Sequence, residues 1–193
     1  LILAVGGGSV VDTGKVLSVF LDKQSNYDLK KVINSPTKLD KSNKIELHVF
    51  PTTAGTGAEV TQFATIWDFE NNKKYSLDHK SLLPDYYFLD SKFLDTLKNQ
   101  KLLNPLLDAI SHAFESLWNK NRTSLSSAFA MQALAMAVQA LPIILRQPEH
   151  LEKRGQMQQA SMLAGMAISQ TRTAIAHSIS YPLTIHFGIP HGL

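Results

Sequence analysis

The sequence predicts an α/β domain followed by an all-helical domain. Three observations lead to this prediction. A glycine-rich turn separates the first apolar run from a segment with helical periodicity. Residues up to about 97 then alternate short apolar runs with turns, which is typical of strands. From about residue 100 onward, apolar side chains recur at helical spacing.

The first predicted strand covers residues 1–5, and the first predicted helix covers residues 10–20. The glycines between them let a ligand approach the backbone closely. The helix start adds unpaired N–H groups and the positive end of its dipole, which together favour a phosphate. We therefore predict a nucleotide-binding domain, the alternative being a flexible turn before an ordinary helix. The predicted binding residues are Gly6, Gly7, Gly8 and Ser9.

Three further strands are predicted over residues 45–50, 63–67 and 86–89. The segment 51–61 follows the first of these and is rich in threonine, glycine and alanine. Ligands of open α/β sheets bind at the carboxyl edge of the strands. Hydroxyls and backbone amides in this segment can therefore hold ribose, phosphate or nicotinamide amide groups. A tight polar turn capped by threonine is the alternative.

The sequence from about residue 100 onward predicts three helices. Asn104 and Pro105 resemble a cap followed by a first-turn proline, so we expect the first helix to begin there. Thr123 and Ser124 predict the cap of a second helix that runs to Leu141. A third helix is predicted over residues 157–173. The apolar stretch 125–145 contains glutamine, serine and proline, which favours a buried helix of a soluble protein over a membrane span.

Candidate metal ligands occur in two places. Asp108 and His112 are four residues apart and share one face of a helix with apolar neighbours, where a buried carboxylate needs a partner or a metal. A surface Asp–His hydrogen bond is the alternative for this pair alone. The otherwise apolar segment 173–192 adds His177, His186 and His191. Together these residues favour a divalent cation with oxygen and nitrogen ligands, either Fe²⁺ or Zn²⁺.

Composition excludes several classes of function. The 193 residues carry a formal charge of only +3 with scattered basic residues, which does not support a nucleic-acid partner. The chain has no cysteine, so disulfides and thiolate metal sites are excluded. No signal-peptide pattern opens the chain, and we expect a cytoplasmic protein without a membrane partner. Residue 1 already lies in a predicted strand, and residues 191–193 stop inside a motif, so we interpret the chain as an internal fragment.

Four ordered motifs make the sequence resemble the iron-containing, group III alcohol dehydrogenase family. The resemblance covers essentially the whole chain. The pattern GGGSxxDxxK matches residues 6–15, TTxGTGxE matches 52–59, DAxxHAxE matches 108–115 and PHG matches 190–192. It implies a fold similar to dehydroquinate synthase, in which an α/β dinucleotide-binding domain (here residues 1–97) precedes a helical metal-binding domain (here residues 98–193).

The resemblance also implies a site and an activity. In the family, a divalent metal acts as a Lewis acid on an alcohol or aldehyde oxygen while hydride passes to or from NAD or NADP. The implied metal ligands are Asp108, His112, His177 and His191. The implied cofactor contacts are Gly7, Gly8 and Ser9 at the pyrophosphate, Thr52, Thr53 and Thr56 beside the cofactor, and Lys74, which reaches it. Family members often self-associate, so a homo-oligomer is also expected.

The chain departs from the family pattern at residue 181. Many members carry a second histidine there that helps to relay the alcohol proton, but this chain has Tyr181. The relay then falls to Tyr181, to His186, to a ribose hydroxyl or to water. A narrower resemblance is to the subgroup that interconverts phosphonoacetaldehyde and 2-hydroxyethylphosphonate, within phosphonate metabolism. Such an anion needs cations near the cleft, and the candidates are Lys120, Arg122 and Arg172.

Two other functions remain open from the sequence. A lyase of the dehydroquinate synthase type would share the scaffold, the metal and NAD. Its site resembles one glutamate with two histidines, whereas this chain offers one aspartate with three histidines. A non-catalytic nucleotide-binding fragment is the second alternative.

Overall fold

A computed structural model places strands and helices in the order that the sequence predicts, with an α/β region followed by helices. Parallel strands form one small sheet, and an antiparallel hairpin forms a second. The structure describes residues 1–21, 32–33, 39, 44–68, 70–71, 73–98 and 100–192.

The parallel sheet has the order β1-β2-β5, and the hairpin pairs β3 with β4. The predicted strands are confirmed within one or two residues, except that the last one shortens to two residues. The second strand of the hairpin was not predicted, because its polar residues conceal the alternation that marks a strand. The strands are β1 (Ile2–Gly6), β2 (Leu47–Pro51), β3 (Phe63–Asp68), β4 (Lys73–Asp78) and β5 (Tyr86–Tyr87).

Five α-helices have both ends in the described residues, where residues 32–33 are helical as well, and short 3₁₀ turns lie at Ala58–Val60, Lys80–Leu82 and Ser91–Leu94. The predicted cap at Thr123 is confirmed, since its side chain accepts a hydrogen bond from the Ser126 amide and Ser126 bonds back. The α-helices are α1 (Gly8–Phe20), α2 (Gln100–Trp118), α3 (Ser124–Arg146), α4 (Leu151–Thr171) and α5 (Ile175–Phe187).

The predicted start of α2 at Asn104 and Pro105 is wrong. The helix begins at Gln100 and contains Pro105 in its interior. Leu102 and Leu106 are both buried in the core between the helices. Burying Leu102 on the extra turn offsets the hydrogen bond that the proline cannot donate. Likewise α3 continues past Leu141 to Arg146, through Pro142.

The segment around His177 is also helical, although the sequence analysis assigned it no regular structure. Helix α5 contains Pro182 and several β-branched residues, which weaken the sequence signal for a helix. It follows Arg172, which ends α4 with a positive φ of 68°. This short helix carries His177 and Tyr181 toward α2.

Helix α3 is long and apolar enough, by length and composition, to cross a membrane. Core helices of soluble proteins meet the same criterion. One face of α3 is a stripe of small residues that packs against α2 and α4, and Ala130, Ala133 and Ala137 are buried there. Only 28% of the most apolar stretch of α3 is buried, so the prediction of a buried helix holds for this face alone, and the absence of a membrane partner stays a prediction.

Candidate metal and nucleotide site

The glycine loop links the carboxyl end of β1 to the first turn of α1. Gly7 is the residue before the helix, and no side chain caps the turn. The Gly7 carbonyl accepts the amides of Val10 and Val11, so the amides of Gly8 and Ser9 stand at the open helix end. This geometry suits a phosphate group, as the sequence predicts.

The threonine loop, residues 52–61, follows β2, the parallel neighbour of β1, so both loops lie at one edge of the sheet. The Thr52 amide donates to the Gly6 carbonyl over 3.0 Å, which joins the two loops. A methyl group on Gly8 would lie 2.6 Å from Thr56 Cγ2, so only glycine allows this approach.

One cleft of about 730 Å³ joins these loops to the predicted metal ligands. Its volume is typical of sites for small molecules and cofactors. Two of the predicted cofactor residues, Gly6 and Thr52, do not line the cleft. They form the hydrogen bond that joins the two loops. The others line the cleft, namely Gly7, Gly8, Ser9, Thr53, Thr56 and Lys74.

All four predicted metal ligands meet at the floor of the cleft. Asp108 Oδ1 lies 3.2 Å from His177 Nε2, 3.4 Å from His191 Nε2 and 3.7 Å from His112 Nε2. The donor atoms of Asp108, His177 and His191 all lie within 4.8 Å of one another. These three nitrogen and oxygen donors fit a divalent first-row cation, and His112 Nε2 lies outside their 4.8 Å set but next to Asp108.

His112 lies beside this set on the same helix face as Asp108, one turn further along. Its ring stacks on the His177 ring, with centroids 4.5 Å apart and planes 17° apart. Both rings are buried, whereas the His191 side chain remains 31% exposed. The ligand set therefore opens to solvent and to the cleft on the His191 side.

The pKa values in the cluster reflect burial and mutual charge. Burial by itself would raise the pKa of Asp108, but the imidazoles hold it well below its ordinary value. Burial lowers the pKa of His112 and of His191, which favours the neutral imidazole that a metal requires. Burial also acts to lower the pKa of His177, but Asp108 and Glu115 outweigh it and raise that pKa.

Glu115 is a buried residue of the site. The motif at residues 108–115 contains it, but the motif by itself assigned it no role. Its side chain is fully buried, and Oε2 lies 2.5 Å from His177 Nδ1. Its other oxygen accepts the amides of Ala176 and His177. Its place at the end of the DAxxHAxE motif, one turn beyond His112, was the sequence signal available for it.

Lys74 and Tyr181 form the wall of the cleft beside the candidate metal ligands. The Lys74 ammonium lies 2.9 Å from the centroid of the Tyr181 ring, and that ring stacks on His191. Burial lowers the pKa of Lys74 to about 8, although Asp12 and Asp108 oppose this shift. Burial raises the pKa of Tyr181, opposed by a hydrogen bond with Thr173.

The structure does not bring His186, the second predicted relay residue, to the cleft. His186 is exposed in the last turn of α5. Of the predicted cations, Arg172 lines the cleft, whereas Lys120 and Arg122 are exposed outside its lining. The Arg172 guanidinium pairs with the Asp78 carboxylate at the end of β4.

A buried polar network lies behind the glycine loop. Lys15 is fully buried and donates to Thr61 Oγ1 over 3.1 Å and to the Phe63 carbonyl over 2.6 Å. Asp12 lies 3.4 Å from the Lys15 ammonium and accepts the Thr65 amide. The two side chains thereby fasten α1 to the start of the hairpin.

Comparison with known proteins agrees with this geometry. The model of the iron-containing alcohol dehydrogenase family matches residues 1–91. The model of the C-terminal part of the same Fe-containing family matches residues 104–193. Between them, the two matches contain all four metal-ligand candidates and both glycine motifs.

Two curated relatives have related names. The chain is 32% identical to a phosphonoacetaldehyde reductase of Streptomyces viridochromogenes, with 98% of this chain and 49% of the relative covered. It is 31% identical to a 1-propanol dehydrogenase of Salmonella typhimurium, with 100% of this chain and 48% of the relative covered. The chain therefore spans about half the length of the curated relatives it matches.

Solved structures of dehydrogenases and reductases also superpose on this chain. A sulfoacetaldehyde reductase from Bifidobacterium kashiwanohense in complex with NAD⁺ superposes with a TM-score of 0.92 at 27% identity, covering 100% of this chain and 50% of that one. An iron-containing alcohol dehydrogenase from Thermotoga maritima superposes with a TM-score of 0.90 at 33% identity, covering 100% of this chain and 51% of that one. Motifs, cleft and relatives agree, and the chain belongs to the iron-containing alcohol dehydrogenase family.

Proposed function

We propose that this chain carries the catalytic cleft of a metal-dependent alcohol dehydrogenase that interconverts small alcohols and aldehydes with NAD or NADP. The observation that supports this proposal most is the convergence of Asp108, His177 and His191 donor atoms within 4.8 Å, in the cleft that the glycine loop also lines. His112 is the fourth ligand in the proposal. Fe²⁺ and Zn²⁺ both suit this donor set.

Each part of the cleft has a separate task in the proposed reaction. When bound, the metal polarises the substrate oxygen and the nicotinamide exchanges hydride with the substrate carbon. The open end of α1 would hold the cofactor phosphates, with Thr53 and Thr56 beside them in the lining of the cleft. Because His112 and His177 are buried at the floor of the cleft, water is excluded around their rings.

The proton of the alcohol needs a carrier within the cleft. Tyr181 lines the cleft and its ring contacts two of the proposed ligands, His177 and His191. His186 is exposed and lies outside the cleft, so of these two residues Tyr181 is the proposed proton carrier. Its hydroxyl can relay the proton, accepting one from the substrate as it passes its own toward solvent.

The test is His191→Ala in the complete, metal-reconstituted protein. Removing one of four ligands should reduce metal content at equal free metal and lower kcat by at least about 100-fold in an aldehyde assay with NADH and NADPH. The control is His150→Ala, since His150 lies at the start of α4 outside the cleft lining. Full activity of a metal-free His191→Ala protein would contradict the proposal.

The finer proposal is that the substrate carries an anionic group, as phosphonoacetaldehyde does. One relative is a phosphonoacetaldehyde reductase and one structural neighbour is a sulfoacetaldehyde reductase. Arg172 and Lys74 are cations in the lining of the same cleft. A guanidinium that pairs with Asp78 still has donors free for a phosphonate oxygen.

Replacing Arg172 by Gln separates this substrate from a neutral aldehyde. The variant should lower kcat/KM for phosphonoacetaldehyde by about 10-fold or more, because a charge-assisted bond contributes on the order of 1.5–3 kcal/mol. Its kcat/KM for propanal should change little. The control is Arg122→Gln, which removes an exposed cation outside the cleft. Equal loss for both substrates would contradict the anionic assignment while leaving the dehydrogenase intact.

A further inference from the structure

Glu115 is a carboxylate in the core whose three hydrogen bonds all reach the beginning of α5. Its oxygen Oε1 accepts the Ala176 amide over 2.7 Å and the His177 amide over 3.3 Å. Its oxygen Oε2 lies 2.5 Å from His177 Nδ1. The side chain is fully buried, so water cannot take over these bonds. All of its partners therefore belong to the element that carries one proposed metal ligand.

The first two of these bonds replace a missing helix cap. Ala174 precedes the first turn of α5 and has no side chain that could accept an amide hydrogen. The unpaired amides at a helix start normally require such an acceptor. Glu115 provides it from α2, and its negative charge lies at the positive end of the α5 dipole. The start of α5 is thus fixed by a residue far away in the sequence.

The third bond sets the orientation of the His177 ring. An ionised carboxylate can only accept hydrogen bonds, so Nδ1 must carry a proton where it meets Glu115 Oε2. In the neutral ring the lone pair then resides on Nε2. That atom lies 3.2 Å from Asp108 Oδ1, inside the ligand cluster. The nitrogen that faces the cluster is therefore the one able to bind a cation.

We infer that Glu115 is a positioning residue that holds His177 in the ring orientation and tautomer needed to bind the metal ion. This inference rests on the metal site of the proposed function. It makes α2 responsible for most of the site, because this one helix carries Asp108, His112 and the residue that orients His177. A carboxylate behind a metal-binding imidazole also makes the imidazole a stronger donor.

Glu115→Gln tests the inference because it keeps the shape of the side chain but changes its donors. If the amide oxygen continues to accept the two backbone amides, the amide NH₂ must face His177 Nδ1. It then donates to Nδ1 and moves the ring proton to Nε2, where it opposes a metal ion. We expect Zn²⁺ affinity about 10- to 100-fold weaker than in the wild type, measured by chelator competition on the complete, metal-free protein.

A second readout distinguishes positioning from general stability. Cobalt(II) in the site should give a visible spectrum that changes in Glu115→Gln. The matched control is Asn119→Ala, because Asn119 directly follows the last residue of α2 and its amide donates to the Arg172 carbonyl without contacting a ligand ring. Asn119→Ala should keep the wild-type Zn²⁺ affinity and cobalt spectrum.

The outcomes separate this inference from the proposed function. If the wild type binds Zn²⁺ and Glu115→Gln binds it equally well with the same cobalt spectrum, the inference is overturned and the metal site stands. If the wild type binds no metal, the proposed function fails. If Glu115→Gln does not fold, ¹⁵N NMR of the zinc-loaded wild type decides, because we expect a protonated His177 Nδ1 and metal at Nε2. Metal at Nδ1 would overturn the inference.

Discussion

Glu59 is a buried carboxyl group in the threonine loop. Among the described contacts, no cation donates a hydrogen bond to it. Burial raises its pKa from 4.5 to about 7, and the charge of Lys15 opposes this shift only in part. Between these two pKa values, the folded state binds a proton that the unfolded state has released. The free energy of unfolding therefore decreases as pH rises through this window.

Glu59→Gln should remove this pH dependence. Relative to the wild type, the variant should gain stability on going from pH 5 to pH 8, by on the order of 3 kcal/mol, because a shift of one pKa unit corresponds to about 1.4 kcal/mol. Urea unfolding of both proteins at the two pH values measures the difference. Glu152→Gln, at an exposed carboxylate on α4, is the control and should follow the wild type. Parallel pH profiles of Glu59→Gln and the wild type would contradict the expected pKa.

Single residues of the site were largely predictable because their spacing carries the signal. Asp108 and His112 are one helical turn apart, and the histidines of the later segment stand among apolar residues. The choice between Tyr181 and His186 was not predictable without knowing that they lie on a helix. On α5, Tyr181 follows His177 by one turn and shares its face, whereas His186 points elsewhere.

The β3–β4 hairpin is the element that the sequence analysis resolved least. Its second strand carries Lys74 opposite Trp67, and this register places the lysine beside the cleft. Polar residues in β4 conceal the strand pattern, so neither the hairpin nor the position of Lys74 followed from periodicity. The hairpin is attached to α1 through Asp12 and Lys15.

Lys15→Met tests this attachment, because methionine fills a similar volume without a charge. The change leaves Asp12 and the Phe63 carbonyl without the ammonium, and we expect destabilisation of about 3–5 kcal/mol in urea unfolding. Asp12→Asn combined with Lys15→Met should recover part of this loss, since no unpaired charge remains. Both variants should raise the KM for the nicotinamide cofactor, because the hairpin that carries Lys74 is then held to α1 by fewer bonds, chiefly at the Thr65 amide. A double variant less stable than the single one would contradict the pairing.

The α/β region and the helices meet at a junction where backbone touches backbone. Gly57, with a φ of 59°, lies against Gly165 of α4 so closely that a methyl group on either would meet backbone atoms of the other within 3 Å. Gln158 of the same helix donates to the Pro51 carbonyl at the end of β2. The order of the two regions followed from the sequence, but this junction did not, because its partners are distant in the chain and glycine carries no hydrophobic pattern.

Gly165→Ala should therefore separate the two walls of the cleft. Alanine favours a helix by about 1 kcal/mol over glycine, yet its methyl would lie 2.8 Å from Gly57 Cα and 2.9 Å from Val60 Cγ2. We expect the clash to prevail and to destabilise the protein by about 1–3 kcal/mol, with a higher KM for the cofactor.

Gly155→Ala in the same helix is the matched control, because its methyl would meet only the side chain of Ser91, at 3.1 Å. A shift of a few tenths of an ångström relieves this longer contact, so this variant should keep the wild-type KM and be unchanged or more stable by up to about 1 kcal/mol. Urea unfolding and cofactor titration of both variants measure the difference. If Gly165→Ala behaves like Gly155→Ala, the close approach of α4 to the threonine loop does not determine how the two regions align around the cleft.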